Sequence, residues 1–221
     1  MGTDNYGRDV LSRVIAGAQL AMIVGVTSSF LGSTAGLLIG VLSGYVGGKT
    51  DMAIQRIMDM IMAFPMLVMA IAMMAVLGSS VFNVILAIAV PTIPRSNRVA
   101  RSVAVSVKEF QYVEAARAVG ASRSRIILRH VLPNCIAAYL IMVTGALGMS
   151  VLVEASLSFL GLGVPPPTPS WGRDLNQGMR FLYDQPWMVL FPGLAISLVV
   201  FGANLFGDAI RDVLDPRLKR M

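Results

Sequence analysis

The stretch EAARAVGASRSRIILRHVLPN, residues 114–134, gathers four arginines around one glycine in a chain otherwise dominated by long apolar runs. Ala115, Ala116 and Ala118 favour a helix from Glu109 to about Gly120, and Gly120 ends it. Ser122 is placed to cap a second helix that carries Arg123, Arg125 and Arg129 toward Pro133. The expected unit is a helical hairpin with a small-residue surface and charged edges. A short helix of that kind suits docking into a groove on a soluble partner, because small side chains permit close approach. Glu114 can pair with an arginine locally or across such an interface. A solvated basic loop that only set topology would leave the alanines and the glycine without a purpose.

The surroundings of this hairpin say where it sits. The chain has 221 residues, of which 56% are hydrophobic and 14% charged, against roughly 25% charged in an ordinary soluble domain. Its mean hydropathy is +0.72. Nothing ionised lies between Arg13 and Lys49, Asp59 and Arg95, Arg129 and Glu154, or Asp184 and Asp208. Each run can supply a crossing of a bilayer whose core needs about 20 apolar residues. The expected fold class is an all-α membrane protein.

Charge is distributed unevenly. Eight basic residues (Arg95, Arg98, Arg101, Lys108, Arg117, Arg123, Arg125, Arg129) and two acidic ones (Glu109, Glu114) fall between 95 and 129, leaving ten of each sign elsewhere. The net charge of +6 therefore reads as one cytoplasmic segment under the positive-inside rule, not as a nucleic-acid surface, since no aromatic platform accompanies the arginines. One cysteine (Cys135) and one histidine (His130) exclude a disulfide framework and a multi-histidine metal site. The opening MGTDNYGRDVLSR is too acidic for a signal peptide.

Five crossings are expected, at about 19–46, 53–77, 81–102, 134–156 and 187–208. Residues 1–18 form an external lead-in, 103–133 the basic cytoplasmic loop, 160–186 an external loop and 210–221 a cytoplasmic tail carrying Arg217, Lys219 and Arg220. The first helix, from about Val14 to Gly48, carries Gly32, Gly36, Gly40 and Gly44, a side-chain-free stripe for close helix packing. The second, Asp51 to Leu77, places Met58, Met62, Met66, Met69 and Met73 on one side, with Pro65 bending it; packing explains the thioethers better than a soft-metal path does. Pro91 and Pro94 interrupt the third, either as a kink or as part of a path. The proline-rich GLGVPPPTPSWG (161–172) reads as an extended loop ending at an interfacial Trp171.

Catalytic chemistry finds little support. GYVGGKTD (44–51) misses a phosphate-binding loop because Ser43 stands where the first glycine is needed. Asp59 and Glu154 are isolated acids near opposite faces. Glu154 either contributes to a path or gate, or holds the following loop through backbone hydrogen bonds. No catalytic residue, metal site or bound cofactor is expected.

The chain resembles the permease subunits of binding-protein-dependent ABC importers, in the dipeptide/oligopeptide/nickel group. The family's cytoplasmic loop reads E-A-A-x-x-x-G, about nine residues and a hydrophobic stretch closing in L-P, matched by Glu114, Ala115, Ala116, Gly120, Leu132 and Pro133. His130 departs from the wider superfamily in the manner of the peptide/nickel branch. GTDNYGRDVLSRVIAGA (2–18), GYVGG (44–48), AFP (63–65), EASLSFLGLG (154–163), PPTPSWG (166–172) and LFGDAIRDVLDPRL (205–218) resemble the same branch. Members usually have a further span before G-T-D, so a truncated, trimmed or shorter subunit is expected.

The resemblance implies a type I ABC importer transmembrane domain in a bacterial or archaeal cytoplasmic membrane. It implies Glu114, Ala115, Ala116, Arg117, Gly120 and Ala121 as the element that couples to an ATPase. Two cytoplasmic ATPase subunits would hold ATP and Mg, a second homologous permease would complete the path, and an extracytoplasmic binding protein would deliver a peptide, glutathione or a nickel chelate. An ATP-independent channel or carrier is the alternative; nucleic acid is not an expected partner.

Overall fold

The computed structural model describes residues 2–214, and within them the chain is helical. Helices α1 (Val10–Val46), α2 (Gly48–Met62), α3 (Met66–Leu77), α4 (Val81–Val107), α5 (Gln111–Ala118), α6 (Arg123–Ile126), α7 (Leu132–Phe159), α8 (Trp171–Met179) and α9 (Trp187–Leu214) follow in order, with a π-helical turn, Ile127–Val131, joining α6 to α7. Three helical rods are long and apolar enough to cross a membrane: Val10–Val46, Arg123–Phe159 and Trp187–Leu214. The bent pair α2–α3 supplies a fourth if it counts as one span.

The glycine stripe sets the central helix pair. A Cβ added at Gly32 would meet the carbonyl oxygen of Ala89, one at Gly36 that of Ile93, one at Gly40 that of Asn97 and one at Gly44 that of Arg101. Four residues along α1 thus advance four along α4, so the two helices run parallel with their backbones in contact. Such an approach is open only to residues without a side chain.

The other long helices take their directions from similar pairs. Ser29 on α1 donates to Ser150 on α7 at 3.1 Å, and Thr34 shares a hydrogen bond of 2.8 Å with Tyr139. The rising α1 numbers meet falling α7 numbers, so α7 runs antiparallel to α1. Gly148 faces Asn204 and Gly207 faces Gly145, which makes α9 antiparallel to α7 in turn. Helices α1, α4 and α9 therefore share one direction, with α7 opposed.

Three clusters fill the bundle. At one end, Val107, Val113, Ile126, Val131 and Cys135 pack with Leu37, Val41, Ala100 and Ala104. Leu20, Val24, Ala70, Met74, Val84, Ile88 and Leu157 form a second cluster, and Ala21, Val151, Ala155, Trp171 and Ile196 a third. Phe30, Leu38, Leu198 and Phe201 remain exposed on the outer faces, as in a protein whose surrounding solvent is hydrocarbon.

Several sequence expectations are corrected here. Helix α1 starts at Val10, four residues before Val14, because Asp9 caps it by accepting from the amide of Ser12 at 2.8 Å and its hydroxyl at 2.6 Å. Pro65 bends the second helix as expected, but into two helices: it breaks at residues 63–65, where α2 and α3 meet at 88°. Pro65 lacks an N–H and drives Phe64 away from helical geometry. Met58 is consequently buried on α2, while Met66, Met69 and Met73 belong to another axis, so the five methionines form no continuous stripe. Helix α4 runs unbroken through Pro91 and Pro94. The proline-rich stretch is non-helical through Ser170, as expected, but the 160–186 loop also contains α8, and Trp171 is 2% exposed inside the bundle instead of interfacial.

Arg95, Arg98 and Arg101 stand on α4, within the expected 81–102 span. Arg101 makes a two-pronged ion pair with Asp51 at 2.6 and 2.7 Å, and Arg98 reaches Asp59 at 2.8 Å, tying α2 to α4. Arg217, Lys219 and Arg220 lie outside the described residues.

Candidate functional site

Helix α5 stands at the end of the bundle where α1 and α4 finish. It begins at Gln111, two residues later than expected, after a turn in which the amides of Val113 and Glu114 donate to the carbonyl of Phe110. One side chain secures it: Val113, fully buried in the cluster with Val107, Ile126 and Val131. Tyr112 adds a second hold, stacking near His130 with ring centroids 5.9 Å apart and accepting from Asn134 at 3.1 Å.

Gly120 ends α5 with φ +81°. The amide of Ala121 reaches back to the carbonyl of Ala116 at 3.0 Å and that of Gly120 to Arg117 at 3.0 Å, the bond pair of a glycine-terminated helix in which a Cβ would be strained. Ser122 then caps α6 by accepting from the amide of Arg125. The outcome is a short helix whose Glu114, Ala115, Arg117 and Ala118 point outward, with Ala116 and Ala121 half-buried. Glu114 makes no ion pair among the described residues. Between α5, α6 and the end of α1 lies a cavity of about 500 Å³ lined by Tyr45, Arg117, Ala121 and Arg123.

The opposite end is closed by α8. Trp171 donates its indole N–H to the carbonyl of Val14 at 2.8 Å, and Gly172 lies against the backbone of Ala155. Glu154 is 1% exposed, and one carboxylate oxygen accepts from Ser158 at 2.8 Å and Ser170 at 3.2 Å. These are side-chain hydroxyls, not backbone amides; Ser158 belongs to α7 itself, and the Ser170 bond fastens the 160–170 segment to it. Pro94 is buried and Pro91 half-buried within α4, so neither opens a gap in that helix.

Arg13 on α1 pairs with Asp174 on α8, its Nε donating at 3.1 Å. Burial pushes the Asp174 carboxyl above its ordinary value, with Arg13 pulling the other way. Burial likewise lowers Arg173, whose guanidinium donates to the carbonyl of Val164. Asp4 feels burial upward, but the amides of Arg8 and Tyr6 and the Arg8 side chain outweigh it and hold the carboxyl low. The hydroxyl of Ser12, then its amide, lowers Asp9. The pairing of residues 2–13 with α8 had no signal in the sequence; the aspartate three residues before Ser12 did.

Helix α5, anchored by the buried Val113, thus caps one end of a bundle of long, mostly apolar helices. Residues 36–220 match the family described as binding-protein-dependent transport system inner membrane component. The chain belongs to this family. It is a permease subunit of an ABC importer of the binding-protein-dependent kind, and a membrane protein.

Relatives of this permease agree over nearly its whole length. It is 46% identical to the glutathione transport system permease protein of Escherichia coli O6:K15:H31, over 99% of this chain and 72% of that one. It is 42% identical to the dipeptide transport system permease protein of Alkalihalophilus pseudofirmus, over 99% and 72% respectively. Among solved structures, an inward-facing form of the MetNI methionine ABC transporter superposes with a TM-score of 0.71 at 18% identity, covering 92% of this permease and 96% of that chain. The fold is that of a type I importer.

Proposed function

We infer that this permease forms part of the path for short peptides or a related solute such as glutathione, and that α5 transmits ATP-driven motion into the bundle. Relatives named for dipeptides and glutathione support the substrate class. The observation that carries the coupling role is α5 itself: it displays Glu114, Ala115 and Arg117 outward while Val113 and Gly120 fix its pose. An ATPase subunit grips this helix, and hydrolysis, with its ATP and Mg, takes place on that partner.

The α5 end faces the cytoplasm and the α8 end faces outward, as the concentration of arginine near α5 favours. Helix α4 then crosses in parallel with α1 and α9, α2–α3 and α7 return, and the count is five crossings. The outer end receives substrate from the binding protein, and a second homologous permease completes the path. Glu154 serves this scheme as the anchor of the outer segment.

The test uses the reconstituted transporter. Glu114→Lys and Gly120→Asp are expected to abolish ATP-dependent uptake and release the ATPase, while the chain still inserts. Uptake at the unmodified rate by both variants overturns the coupling role of α5.

A further inference from the structure

A cavity of about 500 Å³ opens between α4, α7 and α9, within the 300–1,000 Å³ typical of small-molecule sites. Its walls carry charges of both signs. Arg95 comes from α4, and Asp208 and Arg211 from α9, one turn apart; Thr92 and Asn204 add hydrogen-bonding groups. Among the described residues, none of these three charged side chains is in an ion pair. That sets them apart from Arg98 and Arg101, their neighbours on α4, whose charges are met by Asp59 and Asp51.

All three side chains are exposed, and charged groups within the spans of a membrane protein usually face a water-filled path. Two cations and one anion around one void suit a ligand with a carboxylate at one end and an ammonium at the other. An arginine can grip a carboxylate with two parallel bonds, and an aspartate can accept from an ammonium. A neutral solute would make no use of the three charges, and a singly charged one would use only one sign.

We propose that this cavity is a transit site for a short peptide with both termini free, with Arg95 and Arg211 toward the carboxylate and Asp208 toward the ammonium. The proposal rests on the reading of the chain as part of a peptide path and adds the recognition chemistry to it.

Gly145 gives access for a test. It lines the cavity, and a Cβ added there meets nothing within 4 Å. The chain's own Cys135 is buried. In the assembled transporter carrying Gly145→Cys, the rate of labelling of this chain by a charged thiosulfonate is measured with and without dialanine, and with N-acetyl-dialanine amide. Dialanine is expected to slow labelling and the doubly blocked peptide to leave it unchanged. Adding Asp208→Asn or Arg211→Gln should raise the protecting concentration of dialanine about tenfold or more, the effect of losing one charge-assisted contact.

Absence of protection by dialanine, equal protection by the blocked peptide, or indifference to both substitutions overturns the site. ATP-dependent peptide uptake by the unmodified transporter, measured in parallel, reports on the peptide-path reading alone. Intact uptake without protection therefore removes this site and leaves that reading in place.

Discussion

A methyl group added to Gly36 would sit 2.5 Å from the carbonyl oxygen of Ile93 and 2.6 Å from the Cβ of Ser96. The contact joins two backbones, so no side chain can turn aside to make room. Gly36→Ala and Gly40→Ala should each cost about 1–3 kcal/mol, the range for overpacking a close interface. Gly202→Ala, where an added Cβ meets nothing within 4 Å, should leave the melting temperature in detergent unchanged. Equal melting temperatures for all three variants would contradict the close α1–α4 pairing.

The Arg13–Asp174 pair should behave asymmetrically. Both side chains are nearly buried, at 12% and 10% exposed, and the second oxygen of Asp174 has no hydrogen-bond partner. Arg13→Met strands a buried carboxylate and should loosen α8 by about 3–5 kcal/mol. Asp174→Asn should cost at least as much, because the Arg13 guanidinium that it strands cannot shed its charge, whereas a buried carboxyl can take up a proton. The double variant Arg13→Met/Asp174→Leu should recover most of the loss. Proteolysis of the segment around residues 160–186 reads all three.

Val113 bears the weight of α5. Val113→Ala removes two buried methyl-sized groups, worth about 1.6 kcal/mol of transfer free energy before any cavity cost. Val113 sits at the α5 edge of its cluster, so the thermal midpoint should fall by no more than this one contact accounts for while uptake falls much further. A variant that melts early but transports normally would place Val113 in the general core instead.

Acid should act on the α8 end with two opposing signs. Asp4 and Asp9 are held below their ordinary value of 3.8, so their contribution is full above that pH and is lost as pH falls through their lowered values. Asp174 is raised, so the cost of burying its charge is present at neutral pH and is relieved as pH falls through its raised value toward 3.8. Hydrogen exchange, corrected for its intrinsic pH dependence, should therefore show the amides of Tyr6, Arg8 and Ser12 released below about pH 4. Helix α8 should remain docked through Trp171 and Gly172 over the same range.

What could be read in advance followed period and composition. Gly32, Gly36, Gly40 and Gly44 announced a close approach, because glycine every fourth residue leaves one helical face bare; that α4 supplies the opposing surface could not be read, since the contact is with its carbonyls. The α5–α6 hairpin was legible in Ala115, Gly120 and Ser122, whose roles are local. Its attachment was not, because Val113, Tyr112 and His130 act through residues far along the chain. Helix α8 was hidden by the prolines preceding it, and Trp171 is ambiguous by nature, its apolar body and polar N–H suiting a membrane surface or, as found, a buried carbonyl. Pro133 resembled a boundary but falls at the junction of the π turn with α7, where the bonding register is already shifting.

Helices α6 and α7, with the π turn between them, form one rod of 37 residues, about 55 Å long at roughly 1.5 Å per residue. One tip adjoins α5; near the other, Glu154 holds Ser170. On the coupling role inferred for α5, this rod is shared by both ends of the molecule, and a push at Arg123 would arrive at the α8 strap as tilt or twist. Residues 127–131, where the hydrogen bonds change step, form a π-helical collar along it. Stiffening that collar should alter how faithfully each stroke is delivered, with no change at either tip.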